Sequence, residues 1–179
     1  ADVVLTSVSG SRRLGPNTRA MSNWSTTRLE SPGRPTITVT ATPCRHGPPG
    51  SRPIVGDVIG FALTWDGAQH GALWISGDTV LYDGVRQVAD RIDVGTAVVH
   101  LGSVHFPVTG PVKYTMTARD AIELCRLLGP RAVVPVHYEG WTHFTQGRRA
   151  IEHELAGAPA DERERWVWAP IGEPLRLNV

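Results

Sequence analysis

The stretch ALWISGDTV, residues 72–80, decides how this chain is read. Ala72 to Ser76 form a run suited to a buried strand, and Gly77-Asp78 follows at once. A carboxylate placed directly after an apolar strand is costly to desolvate unless something pairs with it. Two other runs share this layout. TITVTATPCRH (36–46) ends at His46, and AVVPVH (132–137) ends at His137. In layered α/β proteins, side chains just beyond the carboxyl ends of strands leave the core and converge on a ligand. Two imidazoles and one carboxylate suit a borderline divalent cation such as Zn²⁺, Mn²⁺ or Fe²⁺. On ligand count alone, a mononuclear iron site with two His and one carboxylate fits as well as a zinc site.

The rest of the chain supports a layered α/β protein. Val3–Val8 reads as a strand by its β-branched content, and residues 9–23 hold one short helix ahead of Gly15-Pro16. SPGRP is a turn, and Ile37, Val39 and Ala41 share one face of the strand 36–42. CRHGPPGSRP reads as a stiff, irregular loop. Strands are expected at 57–65 and 71–76, joined as a hairpin through DGAQH. DGVRQVADRI is a helix with Val85, Val88, Ala89 and Ile92 on one face, and TAVVHLG is a short buried strand. TARDAIELCRLLGP carries a helix start at Thr117, with Asp120 three residues on, and a stop at Gly129-Pro130. TQGRRAIEHELAGA gives a last amphipathic helix, and RWVWAPIGEPLRL one or two short closing strands. Strands come first and helix–strand alternation follows, with uninterrupted runs such as AVVPV that suit strands covered on both faces. The 179 residues are enough for a single domain, 1–179, with a real core.

Composition removes several function classes. The chain is 41% hydrophobic and 20% charged with a formal charge of +1, so no strong field marks a nucleic-acid or membrane-surface protein. Its arginines are interspersed with acids, as in DERERW, and form no basic stripe. No apolar run approaches the ~18–20 residues that span a bilayer. Cys44 and Cys125 lack metal-type spacing and read as free thiols, which points to a reducing compartment and a cytoplasmic location. GPPG is a rigid turn rather than a phosphate cradle, because prolines lack the N–H donors. No G-x-S-x-G elbow and no nucleophile context for either cysteine is present.

The segments ISGDT, PVHYEGW and the preceding TPCRH loop resemble the C-terminal half of the metallo-β-lactamase-fold hydrolases. HLGSVHFPVTGPVKYTMTARDAIELCRLLGPRAVVPVHYEGW (100–141) is most similar to the branch with ascorbate-6-phosphate lactonase-like and phospholipase-D-like members. The resemblance runs from about Thr36 to Pro174. It implies a four-layer αββα sandwich with two metals at one edge, here only the C-terminal half plus part of the middle. Carried over, His46 completes the first metal site, Asp78 bridges both metals, and His137 serves the second. The implied cofactor is a pair of divalent ions, zinc or manganese. The upstream H-x-H-x-D-H loop of such enzymes has no counterpart, since no two of the seven histidines stand two apart.

What the resemblance implies is a metal-dependent hydrolase acting on a small-molecule lactone, ester or phosphodiester. Catalytic zinc needs about three protein ligands and an open position. This chain alone is therefore expected to bind metal weakly or not at all, to catalyse little, and to need a missing N-terminal half or a homo-oligomer partner. The start ADVVLTSV, without Met and already strand-like, agrees with that expectation. A non-catalytic scaffold of the same fold is the alternative from another class, and a mononuclear iron oxygenase the third. No general base is assigned. His105, Tyr138, Trp141 and His143 are candidates to line the substrate pocket, and Thr79 to orient the Asp78 carboxylate from behind. His100 also ends a strand, in AVVH, but has no counterpart in the resemblance. His70 and His153 read as solvated.

Overall fold

The computed structural model describes residues 3–177. Its centre is a six-stranded sheet with the spatial order β3-β4-β5-β6-β7-β8. These strands are β3 (Thr26–Leu29), β4 (Ile37–Pro43), β5 (Ile59–Trp65), β6 (Ala72–Ile75), β7 (Val94–His100) and β8 (Ala132–Val136). β3, β4, β5 and β6 pair antiparallel in succession, whereas β6-β7 and β7-β8 are parallel. Two consecutive reversals leave β4 pointing the same way as β6, β7 and β8. All four therefore end on one edge of the sheet.

Register separates the sheet into two unlike faces, because paired residues point to the same side and successive residues alternate. Ala62, Trp74, Ala97 and Val133 follow one another across paired positions and are all buried. Helices α3 (Asp83–Arg91) and α4 (Ala118–Leu128) cover that face, with Val85, Val88, Ala121 and Leu124 in the same apolar core. Trp74 is fully buried, and its indole N–H donates to Thr42 Oγ1 at 3.1 Å, so the ring carries no unpaired donor. The opposite face is mixed: Val39, Ala41, Thr96 and Val134 are buried, while Phe61, Leu63, Leu73, Ile75, Val98 and Val136 are only half-buried.

Helix α4 starts on the expected capping box: Thr117 Oγ1 accepts the Asp120 N–H at 3.1 Å, and Asp120 Oδ2 accepts the Thr117 N–H at 3.0 Å. Gly129 closes it in the left-handed region at φ 61°. α5 (Arg148–Ala156) buries Ile151 and Leu155. The β5-β6 hairpin and the strand at β7 also stand where the sequence puts them. The layered α/β class and the metallo-β-lactamase-like resemblance both agree with this architecture.

Several local expectations are corrected. The first strand, β1 (Val4–Ser7), stops before Val8, because Ser7 Oγ accepts the Gly10 N–H at 3.1 Å and starts α1 (Val8–Leu14). β1 pairs in parallel with β2 (Thr18–Met21), which sequence patterning does not reveal. β3 is equally unannounced, since TTRL has no buried residue and no apolar alternation. The loop after His46 holds a one-turn helix, α2 (Arg52–Val55). Near the C-terminus, α6 (Ala160–Glu164) precedes a single bridge between Trp166 and Val133, and residues 167–177 form no strand. Pro170 and Pro174 remove ladder donors there. No helix among the described residues is long and apolar enough to cross a membrane.

Candidate functional site

The co-directional ends of β4, β6, β7 and β8 deliver the chemistry to one sheet edge. His46 lies three residues past β4, Asp78 three past β6 and His137 directly past β8, while His100 is the last residue of β7. Asp78 Oδ2 stands 3.8 Å from His46 Nδ1 and 3.6 Å from His137 Nε2. All three side chains are between 19% and 29% exposed, so the cluster is reachable but sheltered.

Backbone geometry places them. Gly77 adopts φ 65°, and a Cβ there would lie 2.9 Å from Ile59 O and 3.2 Å from Cys44 Sγ. Only glycine makes that turn at no steric cost, and the turn brings Asp78 round toward His46. His137 itself is left-handed at φ 59°, a conformation costing roughly 1–2 kcal/mol for a residue with a Cβ. Such strain persists where the surrounding structure holds it, commonly at functional sites. The loops after β4 and β6 are laced together: Val80 N–H donates to Arg45 O at 2.9 Å, and Cys44 Sγ donates to Asp78 O at 3.3 Å. Thr79, fully buried, accepts the Arg45 N–H at 3.1 Å and donates to Val80 O at 2.8 Å. Its hydroxyl thus braces the two loops through their backbone, rather than gripping the carboxylate as the sequence suggested.

Hydrogen bonds orient the imidazoles. His137 Nδ1 faces Leu101 O at 3.3 Å, and a carbonyl can only accept. Nδ1 therefore carries a proton, and the opposite nitrogen, Nε2, is the one turned to the Asp78 carboxylate. A backbone carbonyl behind the ring is the usual support of a metal-ligating His. Ser76 Oγ donates to Gly77 O at 2.9 Å, so it accepts from His100: the backbone N–H at 2.9 Å and Nδ1 at 3.3 Å. That leaves His100 Nε2 free, with its ring 5.8 Å from that of His137. Burial lowers the pKa of both His46 and His100, opposed in each by the Asp78 charge. Burial pushes the Cys44 thiol up to about 12, and its S–H donates to Asp78 O.

Tested against a dinuclear metal centre, the residues supply part of a set. Asp78 has one imidazole on each side, as a bridging carboxylate requires, but each side then counts two protein donors. No group of three or more His, Cys, Asp or Glu side chains among the described residues is arranged to hold one metal ion.

The remaining candidates separate. His143 lies between Phe106 and Phe144, with ring centroids at 5.4 and 4.9 Å, and Trp141 stacks on it at 5.6 Å. Phe144 in turn contacts His137 at 4.6 Å. His105 Nε2 is turned to Gly110 O at 2.6 Å and shapes its own loop. Tyr138, expected at the pocket, instead lies in the core, edge-on to Trp168 at 5.6 Å, just past the left-handed turn of the chain at His137. His70 sits beside Arg131, 3.0 Å from its guanidinium, and His153 is exposed on α5. His100, a strand-end residue in AVVH that the resemblance leaves without a counterpart, stands at the same sheet edge as the other three.

Comparison with known proteins agrees with this architecture. A metal-dependent hydrolase of Pelotomaculum thermopropionicum is 26% identical over 146 residues, covering 79% of this chain and 58% of the relative. One from Pyrobaculum arsenaticum is 35% identical over 108 residues, covering 60% of this chain and 43% of the relative. The chain spans about half the length of the curated relatives it matches. Among solved structures, isothiocyanate hydrolase from Delia radicum gut bacteria superposes with TM-score 0.77 at 16% identity, over 98% of this chain and 67% of that one. The family model described as the beta-lactamase superfamily domain matches residues 4–138, and the chain belongs to that family.

Proposed function

We propose that this chain carries one wall of the active site of a metal-dependent hydrolase. The supporting observation is the Asp78 carboxylate flanked by two imidazoles, with His137 Nε2 turned to it and His137 Nδ1 backed by the Leu101 carbonyl. His46 and Asp78 would hold one divalent cation and Asp78 and His137 the other, zinc or manganese. When bound, such ions polarise a scissile carbonyl or phosphoryl oxygen and lower the pKa of a bound water toward ~7. In that setting Asp78 keeps the two cations together. The Leu101 carbonyl fixes the His137 ring, and Thr79 holds the loop that carries His46.

The substrate is a small molecule bearing a lactone, another ester or a phosphodiester. The isothiocyanate hydrolase neighbour adds a second kind of electrophilic carbon to that class. The remaining ligands come from a further β layer seated on the half-buried face of Phe61, Leu63, Ile75 and Val98. That layer is the rest of the domain, which the greater length of the relatives supports, or a second copy. The chain by itself is weakly metal-binding and inactive, and its setting is the cytoplasm. Zinc titration of the chain, alone and as Asp78→Ala, tests the reading. A saturable site lost in the variant supports it, and equal binding by both proteins contradicts it. Light scattering tests the open face, because a monodisperse, stable monomer contradicts the need for a partner layer.

A further inference from the structure

An unbroken arc of rings connects the two imidazoles that flank Asp78. His46 contacts Tyr114 (5.7 Å between centroids), Tyr114 contacts Phe106 (5.3 Å), and Phe106 contacts His143 (5.4 Å). His143 contacts Phe144 (4.9 Å), and Phe144 closes on His137 (4.6 Å). Trp141 stacks on His143 from outside and is 69% exposed, although it is the largest apolar side chain on this loop. We infer that this arc is a substrate subsite that binds a flat apolar group, an aryl ring above all, beside the bond cleaved at Asp78. The inference rests on the hydrolase reading given above and names its substrate class.

Three features separate such a subsite from ordinary packing. First, the arc is built in advance. His105 N–H donates to His143 O at 3.2 Å, Thr145 Oγ1 donates to Ser103 O at 2.7 Å, and Thr145 N–H donates to Gly102 O at 2.9 Å, so the loops 102–114 and 139–147 are fastened to each other. Gln146 Oε1 accepts the Ala118 N–H at 2.8 Å and ties the second loop to the first turn of α4. Second, glycines give the rings their seats. A Cβ on Gly47 would fall 2.7 Å from the Tyr114 ring, and one on Gly102 would fall 3.0 Å from Phe144. Third, the arc becomes more exposed outward: Tyr114 is buried, Phe106, His143 and Phe144 are half-buried, and Trp141 is open. Rings that served only the core would not end on an exposed indole. Offset and edge contacts between aromatic rings add to their apolar contribution, so a further ring finds both faces and edges to meet.

The test compares 2-phenylethylphosphonate with ethylphosphonate, binding to the zinc-loaded chain, with tryptophan indole N–H resonances as the readout. The expected result is about ten-fold tighter binding of the aryl probe, with the Trp141 resonance moving. Trp141→Leu and Phe106→Leu, one exposed and one conservative in size, should each reduce that ratio toward one while ethylphosphonate affinity stays constant. Asp78→Ala addresses the hydrolase reading separately: it weakens both probes equally and leaves the aryl preference intact. If Asp78→Ala changes neither affinity, the metal reading fails while the ratio still reports the arc. Equal affinity for the two probes or an unmoved Trp141 resonance overturns the subsite, whereas binding of neither probe in excess zinc overturns the hydrolase reading on which it rests.

Discussion

The two faces of the six-stranded sheet are built from the same strands and have different fates. On one, Trp74, Ala97 and Val133 meet α3 and α4 and are sealed. On the other, Phe61, Leu63, Leu73, Ile75, Val98 and Val136 are equally apolar and only half-covered. Their neighbours on that face, Val39, Ala41, Thr96 and Val134, are buried, so the half-covered side chains form an apolar margin on which a further layer is proposed. The chemistry follows the same division. His100 occurs on the open face, in step with Thr96 and Val98, so the candidate site stands where the closed layer ends and the open one begins. The fully closed face carries the larger share of the core, and the proposed completion of the site involves the other.

The largest expected effect is on the closed face. Trp74→Ala empties a fully buried position and strands Thr42, which should cost about 3–5 kcal/mol in urea unfolding. The same measurement on Phe61→Ser, its counterpart on the open face, should register below about 1.5 kcal/mol while reducing self-association in light scattering. A cost for Phe61→Ser matching that of Trp74→Ala would erase the contrast between the faces.

At the boundary, Gly77→Ala forces a Cβ against Ile59 O in a left-handed turn and should destabilise by about 1–2 kcal/mol. It should also weaken zinc binding more than Trp141→Leu does, because it displaces Asp78. The smallest effect is in pH dependence. Burial depresses the pKa of His46 and His100 below the unfolded value of 6.5, so the unfolded chain binds more protons as pH falls. Their contribution to stability is whole above pH 6.5 and is lost as pH drops from there through the depressed folded values. Urea midpoints should therefore fall from pH 7.5 to 5.5, with a shallower fall in His100→Asn. A midpoint rising toward acid would contradict the neutral, buried imidazoles.

How much of this was legible in the sequence depends on whether a signal is local. The α4 helix was plain because Thr117, Asp120 and Gly129 act within a few residues of one another. The strand-end positions of His46, Asp78 and His137 were equally plain, since an apolar run followed by a polar side chain needs no tertiary information. β3 was not, because TTRL becomes a strand only by pairing with β4. Nearness along the chain to His137 says nothing of where Tyr138 goes, because the left-handed turn at His137 is visible only in the folded backbone. The His46-to-His137 arc joins residues from four separate segments, and only the folded chain shows that its rings touch.

The central claim is that Asp78 lies between two cation positions, one on the His46 side and one on the His137 side. Anomalous scattering from zinc-soaked crystals measures it directly. The account predicts two peaks flanking Asp78 Oδ2, one toward each imidazole, both lost in Asp78→Ala. A single peak away from Asp78, or peaks that persist in the variant, would contradict it.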